Sequence, residues 1–279
     1  MRVAVTGGDG QVAAALRLTQ PPHAQAHYLT RGQLDITDRR AVAEHPALEV
    51  DVIINAAAYT AVDAAESDAA TAMAINGHAP SYLAQRGPYL VQLSTDYVFG
   101  GNRRRPLRID DATAPSTVYG ATKLAGERAA MEVSNNLSVV RTAWVYSGNT
   151  LPNHGCFVST MLRLAAGDGE VRVVDDQVGS PTYALDLARG LWEVAQFRPR
   201  GVLHAVGAGQ ASWWDLARET FRAAGADPER VIACSSQDFP RPAARPTWSV
   251  LDSSSWEAAG LRPLPAWQTG VARATTARI

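Results

Sequence analysis

The strongest constraint on what this chain can fold into sits at its start, where Arg2-Val3-Ala4-Val5-Thr6 runs directly into Gly7-Gly8-Asp9-Gly10-Gln11-Val12-Ala13. An apolar β-branched run, a glycine turn and an Ala-rich stretch together predict a strand–turn–helix unit. Gly7 permits the tight turn, Gly10 lets backbone approach a pyrophosphate, and Ala13 is small enough for the helix to pack closely on the strand. The free N–H groups and positive dipole end of such a helix suit phosphate. This unit points to a nucleotide held at the edge of a parallel sheet.

The rest of the first half keeps the same rhythm. Strands are expected at residues 2–6, 27–30, 51–55, 90–94 and 138–146, with helices starting near Gln11, Thr37, Asp68 and Val118. The unbroken apolar run Val52-Ile53-Ile54 fits a strand covered on both faces. Further on, strands are expected at 171–174 and 201–206 and helices at 183–196 and 212–224, before a tail punctuated by Pro and Arg. The predicted fold class is α/β, a Rossmann-type doubly wound parallel sheet with a small C-terminal substrate-binding lobe. Residues 1–150 are expected to form the dinucleotide-binding domain, which also receives later segments near 171–197. Residues 151–279 are expected to form mainly the substrate lobe, interleaved with the first.

Composition removes several function classes. The 26 basic and 27 acidic residues leave a net charge of −1, so neither nucleic acid nor an anionic membrane is an expected partner. Cys156 and Cys234 cannot build a disulfide framework or a thiolate zinc site, and the six histidines show no ligand spacing, so no metal is expected. No apolar run approaches a bilayer span. The opening residues read as strand and turn and not as a signal peptide, which makes a cytoplasmic protein the expectation.

The second strand refines the cofactor. An NAD site usually places an acidic residue about 20 residues past the glycines, yet here the strand ends in Leu29-Thr30-Arg31 with no carboxylate until Asp35. A hydroxyl and a guanidinium suit a 2′-phosphate, so NADPH is the expected cofactor, with NADH as the alternative. Asp35 and Ile36 then fall where an adenine edge is held. Ala56, Ala57 and Ala58 follow the third strand, either to contact the cofactor or simply to pack tightly.

Of the 26 basic residues, 25 are Arg and one is Lys, at Lys123. It lies four residues after Tyr119 at the start of an expected helix, so both share one helical face. A phenol is a poor proton donor or acceptor at neutral pH, and a nearby cation favours its ionised form. Ser94-Thr95-Asp96-Tyr97 ends the fourth strand and brings hydroxyls to the ligand-binding edge of the sheet.

Gly7-x-x-Gly10-x-x-Ala13, Ser94-Thr95-Asp96 and Tyr119-x-x-x-Lys123 resemble the extended short-chain dehydrogenase/reductases. Longer matches narrow this to one branch: Leu34-Asp35-Ile36-Thr37-Asp38, Asn55 to Asp63, Ser94 to Phe99, Val118 to Glu127, Arg141-Thr142-x-Trp144, Asp175 to Thr182, and Arg245-Pro246. These are similar to the dTDP-4-dehydrorhamnose reductase family over nearly the whole chain. The resemblance implies NAD(P)H-dependent reduction of the 4-keto group of a dTDP-4-keto-6-deoxy sugar. It gives Tyr119 as proton donor, Thr95 as hydrogen-bond donor to the carbonyl, and Lys123 as the group that holds the nicotinamide ribose and tunes Tyr119. Thr95, Asp96, Tyr97 and Trp144 are the implied substrate contacts, with Asn153, Gln177 and Thr182 as further candidates and Arg103-Arg104-Arg105 as a candidate diphosphate contact. Gly7, Gly10, Gln11, Val12, Thr30, Arg31, Asp35, Ile36, Ala56, Ala57, Ala58, Tyr119 and Lys123 are the implied cofactor contacts. A monomer or homodimer is expected.

Competing readings are a nucleotide-sugar 4-epimerase or 4,6-dehydratase, a 4-ketoreductase of an antibiotic deoxysugar or streptose-type pathway, and a non-catalytic NADP-binding regulatory subunit. Thr95 is followed by Asp96-Tyr97 and not by the Asp-Glu pair of dehydratases, and the presence of Thr95, Tyr119 and Lys123 together argues for catalysis.

Overall fold

The computed structural model describes residues 1–100, 103–151 and 153–276, so Pro152 and residues 277–279 of the expected lobe lie outside the described residues. The first half runs β1 (Arg2–Thr6), α1 (Gln11–Leu18), β2 (Gln25–Leu29), α2 (Arg39–Glu44), β3 (Val52–Asn55), α3 (Val62–Ala65), α4 (Ala69–Ala72), α5 (Ala79–Ala84), β4 (Tyr89–Thr95), α6 (Val118–Val133) and β5 (Leu137–Thr142). The second half follows with β6 (Val145–Tyr146), α7 (Phe157–Ala165), β7 (Val171–Val174), β8 (Val178–Gly179), β9 (Thr182–Tyr183), α8 (Ala184–Phe197), β10 (Gly201–His204), β11 (Ala211–Ser212), α9 (Trp213–Ala223), β12 (Val231–Cys234), α10 (Ser254–Ala258) and α11 (Trp267–Thr276).

Six strands form one parallel sheet in the order β10-β5-β4-β3-β1-β2. Alternate side chains of each strand enter different cores. Val3, Val5, Val52, Ile54 and Val91 pack under α1, α8 and Trp256, while Ala4, Ile53, Leu90 and Val139 pack under Val42, Leu83 and Ala130. This double burial accounts for the unbroken Val52-Ile53-Ile54 run, and each such side chain contributes roughly 1.5–3 kcal/mol of transfer energy. Chain direction across the sheet reverses at β1, which pairs with β2 on one side and β3 on the other. In such a sheet the ligand crevice lies beyond the carboxyl ends of the strands at that reversal. Polar side chains tie the crevice floor together: Thr6 Oγ1 donates to Asn55 Oδ1 (2.6 Å), and Asn55 Nδ2 donates to Gln92 Oε1 (2.7 Å).

The later segments differ in part from the sequence expectation. The strand expected at 138–146 is two strands, because β5 ends at Thr142 and Trp144 takes φ +46° before β6 begins. Left-handed backbone at a bulky residue cannot continue a strand, and the apolar run gives no sign of it. Val171–Val174 is a strand, but it pairs in parallel with β12 in a small separate sheet. Gly201–His204 instead completes the large sheet beside β5. Around the small sheet, Met161, Ala165, Val173, Ala217, Phe221 and Val231 form one core, and Tyr146, Val158, Leu216, Trp267 and Val271 form another. Arg245, between β12 and α10, ties the later segments to α3 through two contacts with the Asp63 carboxylate, each 2.9 Å.

Candidate active site

A cleft of ≈ 890 Å³ lies over the carboxyl ends of the large sheet. Its floor is the β1–α1 turn, where Gly7 has φ +71° and a Cβ would come within 2.7 Å of the Ala57 backbone nitrogen. Any side chain there is excluded twice over, by backbone geometry and by space. Gly10 is the N-cap of α1 and supplies no side-chain cap, so the first-turn N–H groups are left for a ligand. Gln11 Nε2 donates to Ser147 Oγ (2.9 Å), joining this helix to the segment after β6.

Gly7, Gly10, Gln11, Val12, Arg31, Asp35, Ile36, Ala56, Ala57 and Ala58 all line the cleft, as do Thr95, Asp96, Tyr97, Tyr119, Lys123 and Trp144. Thr30 does not: its N–H and hydroxyl both donate to Gln33 Oε1, at 3.0 and 3.2 Å. Arg31 stays 77% exposed with its Nε 3.5 Å from Asp35 Oδ2, a loose pair that leaves the guanidinium available. Asp35 is held below the ordinary carboxylate range chiefly by the Thr37 hydroxyl and N–H. Asn76, in a π-helical turn between α4 and α5, clasps both backbone groups of Tyr59 at 2.9 and 3.0 Å and so fixes the loop after β3. Nothing in the sequence pattern marks this asparagine.

At the end of β4, Thr95 Oγ1 accepts from the Tyr97 N–H (3.2 Å) and donates to Asp96 Oδ1 (3.0 Å). Asp96 is 2% exposed, and its Oδ2 closes no hydrogen bond of normal geometry. Burial pushes this carboxyl up to about 6, against the pull of the Ser249 and Thr95 hydroxyls. Helix α6 starts at an N-cap, Thr117, whose Oγ1 accepts from Gly120 N–H (3.0 Å), and it carries Tyr119 and Lys123 in its first two turns. Tyr119 is partly exposed to the cleft, and its ring forms a T-shaped pair with that of Tyr97, centroids 5.6 Å apart. The surrounding protein pushes its phenol up to about 12; the Thr95 hydroxyl opposes that shift and Asp96 adds to it. Lys123 is buried, donates to the Leu93 carbonyl (2.7 Å), and is lowered by burial to about 8 while Glu127 acts the other way. The Lys123 hydrogen bond thus goes to the end of β4.

The opposite wall is aromatic. Trp144 stacks on Trp213 with ring centroids 3.6 Å apart and planes within 5°. Gly179 makes room for this pair, since a Cβ there would meet the Trp144 indole at 2.5 Å. Trp213, together with Asn153, His154 and Gly155, also lines the cleft. Trp213 was not evident from sequence, because it lies 69 positions from its partner and reads as an ordinary apolar residue at the start of α9. Gln177 and Thr182 do not line the cleft, and Thr182 Oγ1 instead donates to the Ser180 carbonyl (3.1 Å). Arg103 and Arg105 form ion pairs with Asp111 at 2.6 and 2.5 Å. Among the described residues, no group of three or more His, Cys, Asp or Glu side chains is placed to hold a metal ion.

The arrangement therefore offers a phosphate-compatible helix end, a neutral phenol, a buried ammonium, a hydroxyl and a flat aromatic wall around one cleft. The residues present fit a dinucleotide, because the floor is glycine backbone beneath an uncapped helix N-terminus.

Comparison with known proteins agrees with this geometry. The RmlD substrate binding domain family matches residues 1–278. A dTDP-4-dehydrorhamnose reductase from Streptomyces griseus is 49% identical, covering 96% of this chain and 90% of the relative. A dTDP-4-keto-6-deoxy-D-glucose reductase from Streptomyces niveus is 40% identical, over 97% of this chain and 95% of the relative. Among solved structures, dTDP-4-dehydrorhamnose reductase from Bacillus anthracis in complex with NADP superposes with a TM-score of 0.91 at 33% identity, covering 98% of this chain and 97% of that one.

Proposed function

This chain belongs to the RmlD substrate binding domain family, and on that premise we propose that it reduces the 4-keto group of a dTDP-4-keto-6-deoxy sugar, dTDP-4-dehydro-L-rhamnose above all, with NADPH as reductant. The observation that carries this reading is the convergence of Thr95, Tyr119 and Lys123 on one cleft whose floor is the β1–α1 glycine turn. Bound in the cleft, NADPH would supply the hydride. Gly7, Gly10 and the α1 N-terminus would hold its phosphates, Arg31 would meet the 2′-phosphate, and Lys123 would hold the ribose.

The remaining work falls to side chains of this protein. Tyr119 is neutral at physiological pH, so it reaches the reaction as an acid and donates its proton to the carbonyl oxygen as negative charge develops. Thr95 stabilises the same oxygen by hydrogen bonding, which requires its present bond to Asp96 to open. The Trp144 and Trp213 indoles exclude water from one side of the sugar. Asp96 and Tyr97 complete the substrate contacts. We assign the substrate lobe to the body built on β7, β12, α7, α9 and α11. The enzyme is read as cytoplasmic and as a monomer or homodimer; no described helix is long and apolar enough to cross a membrane.

The 40% identity to a dTDP-4-keto-6-deoxy-D-glucose reductase supports a second reading, in which the same chemistry serves another 4-keto deoxysugar. The test is loss of nicotinamide absorbance when the purified protein meets dTDP-4-dehydro-L-rhamnose, with NADPH and NADH compared side by side. Turnover with NADPH in excess of NADH is expected. Turnover with dTDP-4-keto-6-deoxy-D-glucose alone moves the assignment to the second reading, and tight NADPH binding without turnover of either sugar rejects both.

A further inference from the structure

Three side chains cross the large sheet at one level, and the mechanism above does not use them. Thr6, Asn55 and Gln92 are register partners on β1, β3 and β4, and each is at most 2% exposed. The direction of their hydrogen bonds is fixed at one end. The Ala57 N–H can only donate, and it meets Asn55 Oδ1 at 3.2 Å. That oxygen also accepts from the Thr6 hydroxyl, so Asn55 Nδ2 faces Gln92 Oε1 and the Gln92 amide turns its Nε2 onward along the row. Gln92 Nε2 then donates to the Leu93 carbonyl (2.9 Å).

The Leu93 carbonyl is where the sheet runs out. Along β4 the backbone groups alternate between neighbours: the Tyr89 N–H donates to Asp51, just before β3, and the Leu90 N–H to Asn136, just before β5. Leu93 is in phase with Tyr89 and so faces β3, but β3 ends at Asn55, the partner of Gln92. The Ala57 N–H, which would carry the ladder one step further, is taken by Asn55 Oδ1. A buried carbonyl beyond the last ladder bond needs another donor. It receives two, Gln92 Nε2 and Lys123 Nζ (2.7 Å).

Two lone pairs accept two donors, so Gln92 leaves the ammonium a single direction of approach. Among the described residues Leu93 supplies the one hydrogen-bond acceptor of Lys123, since Glu127, one turn further along α6, is closed on Arg141 (2.9 and 2.7 Å). One of the ammonium protons is thereby bound, and the other two remain for ribose hydroxyls. The far end of the same row holds Ala57 against Gly7, at the turn beneath the phosphates. We propose that Gln92 is a positioning residue that fixes the Leu93 carbonyl as the anchor of Lys123 and, through Asn55, sets that anchor in register with the dinucleotide turn. The proposal rests on the role given to Lys123 in the proposed function.

Lys123 is the only lysine in the sequence, so lysine labelled at its ε carbon gives one ε-methylene NMR signal in the whole protein without cofactor or sugar. With the ammonium anchored, the two protons of that methylene are expected at separate shifts. Gln92→Met keeps the length of the side chain and removes its donor, and the two shifts are expected to merge. Should that variant fail to fold with Asn55 Nδ2 left bare, T6V/N55L/Q92M replaces the whole row by apolar groups of similar shape. It leaves the half-buried Ala57 N–H to solvent and is expected to fold with the same merging. Merged shifts in the parent, or separate shifts in either folded variant, overturn the inference. A cycle of variants separates positioning from bracing. NADPH affinity, read by quenching of protein fluorescence, is expected to fall about three- to tenfold in Q92M and to be unaltered by the same change in a Lys123→Met background. Equal losses in both backgrounds make Gln92 a brace of the sheet and overturn the inference. No arm needs sugar turnover, so a failed reductase assay and a failed inference are told apart.

Discussion

On the sheet side of the cleft, Thr95, Asp96, Lys123, Glu127 and Arg141 are all less than a tenth exposed, and nearly every polar atom is held by a neighbour on a strand or on α6. On the lobe side, Trp144, Trp213 and His154 are only partly buried, and Asn153 and Gly155 are exposed. The first wall is polar, rigid and desolvated, so each charge there is amplified by low dielectric. The second wall offers flat apolar area with few fixed directions. Proton transfer demands fixed geometry, whereas recognition of a sugar nucleotide tolerates a surface that adapts, and under the proposed function the two walls divide the work accordingly.

The largest test of that division is Tyr119→Phe. Steady-state kinetics are expected to show turnover lowered by roughly 10²–10⁴-fold with NADPH affinity retained; loss of both in parallel would mean that the phenol holds the cofactor and does not transfer a proton.

A second test touches the polar wall through stability. Asp96 has a folded-state value of about 6, above the ordinary carboxylate range, so the native state binds more protons than the unfolded state between about pH 4 and 6. Its cost to stability is absent below that window and complete above it. Asp96→Asn is therefore expected to stabilise the protein at pH 7 by about 2–3 kcal/mol in denaturant unfolding and to flatten the pH dependence between 4 and 6. A destabilised variant at pH 7 would show that the carboxylate is compensated by contacts stronger than those seen.

On the aromatic wall, Trp213→Ala is expected to raise the substrate KM about tenfold and leave kcat within about twofold, as a loss of uniform binding should. A fall in kcat without a rise in KM would erase the distinction between the walls. The smallest effect is assigned to Arg31→Ala, which should reduce the NADPH over NADH preference by a few-fold, because the guanidinium is exposed and screened.

Legibility in the sequence followed locality. The strand–glycine–helix unit and the Tyr119–Lys123 pair are short-range patterns, so chain spacing alone places Gly10 at the N-terminus of α1 and Tyr119 and Lys123 on one face of α6. The Trp144–Trp213 stack, the Asp63–Arg245 clamp and the Glu127–Arg141 pair join residues whose partners depend on how the strands are ordered. Thr30 stands outside the cleft lining because its hydroxyl has a near acceptor in Gln33, a local competition that spacing does not reveal. Residues 171–174 were legible as a strand but not as a partner of β12, since β propensity says nothing about which edge a strand will join.

The coplanar indoles of Trp144 and Trp213 have an optical consequence as well as a structural one. Two identical chromophores at van der Waals separation exchange excitation, so their transitions split into a coupled pair whose intensity depends on distance and mutual angle. Separating or tilting either ring by even a fraction of an ångström changes the ellipticity and quenching of that pair. The aromatic wall of the cleft thus carries its own chromophore for following occupancy of the cleft in real time, with no label attached.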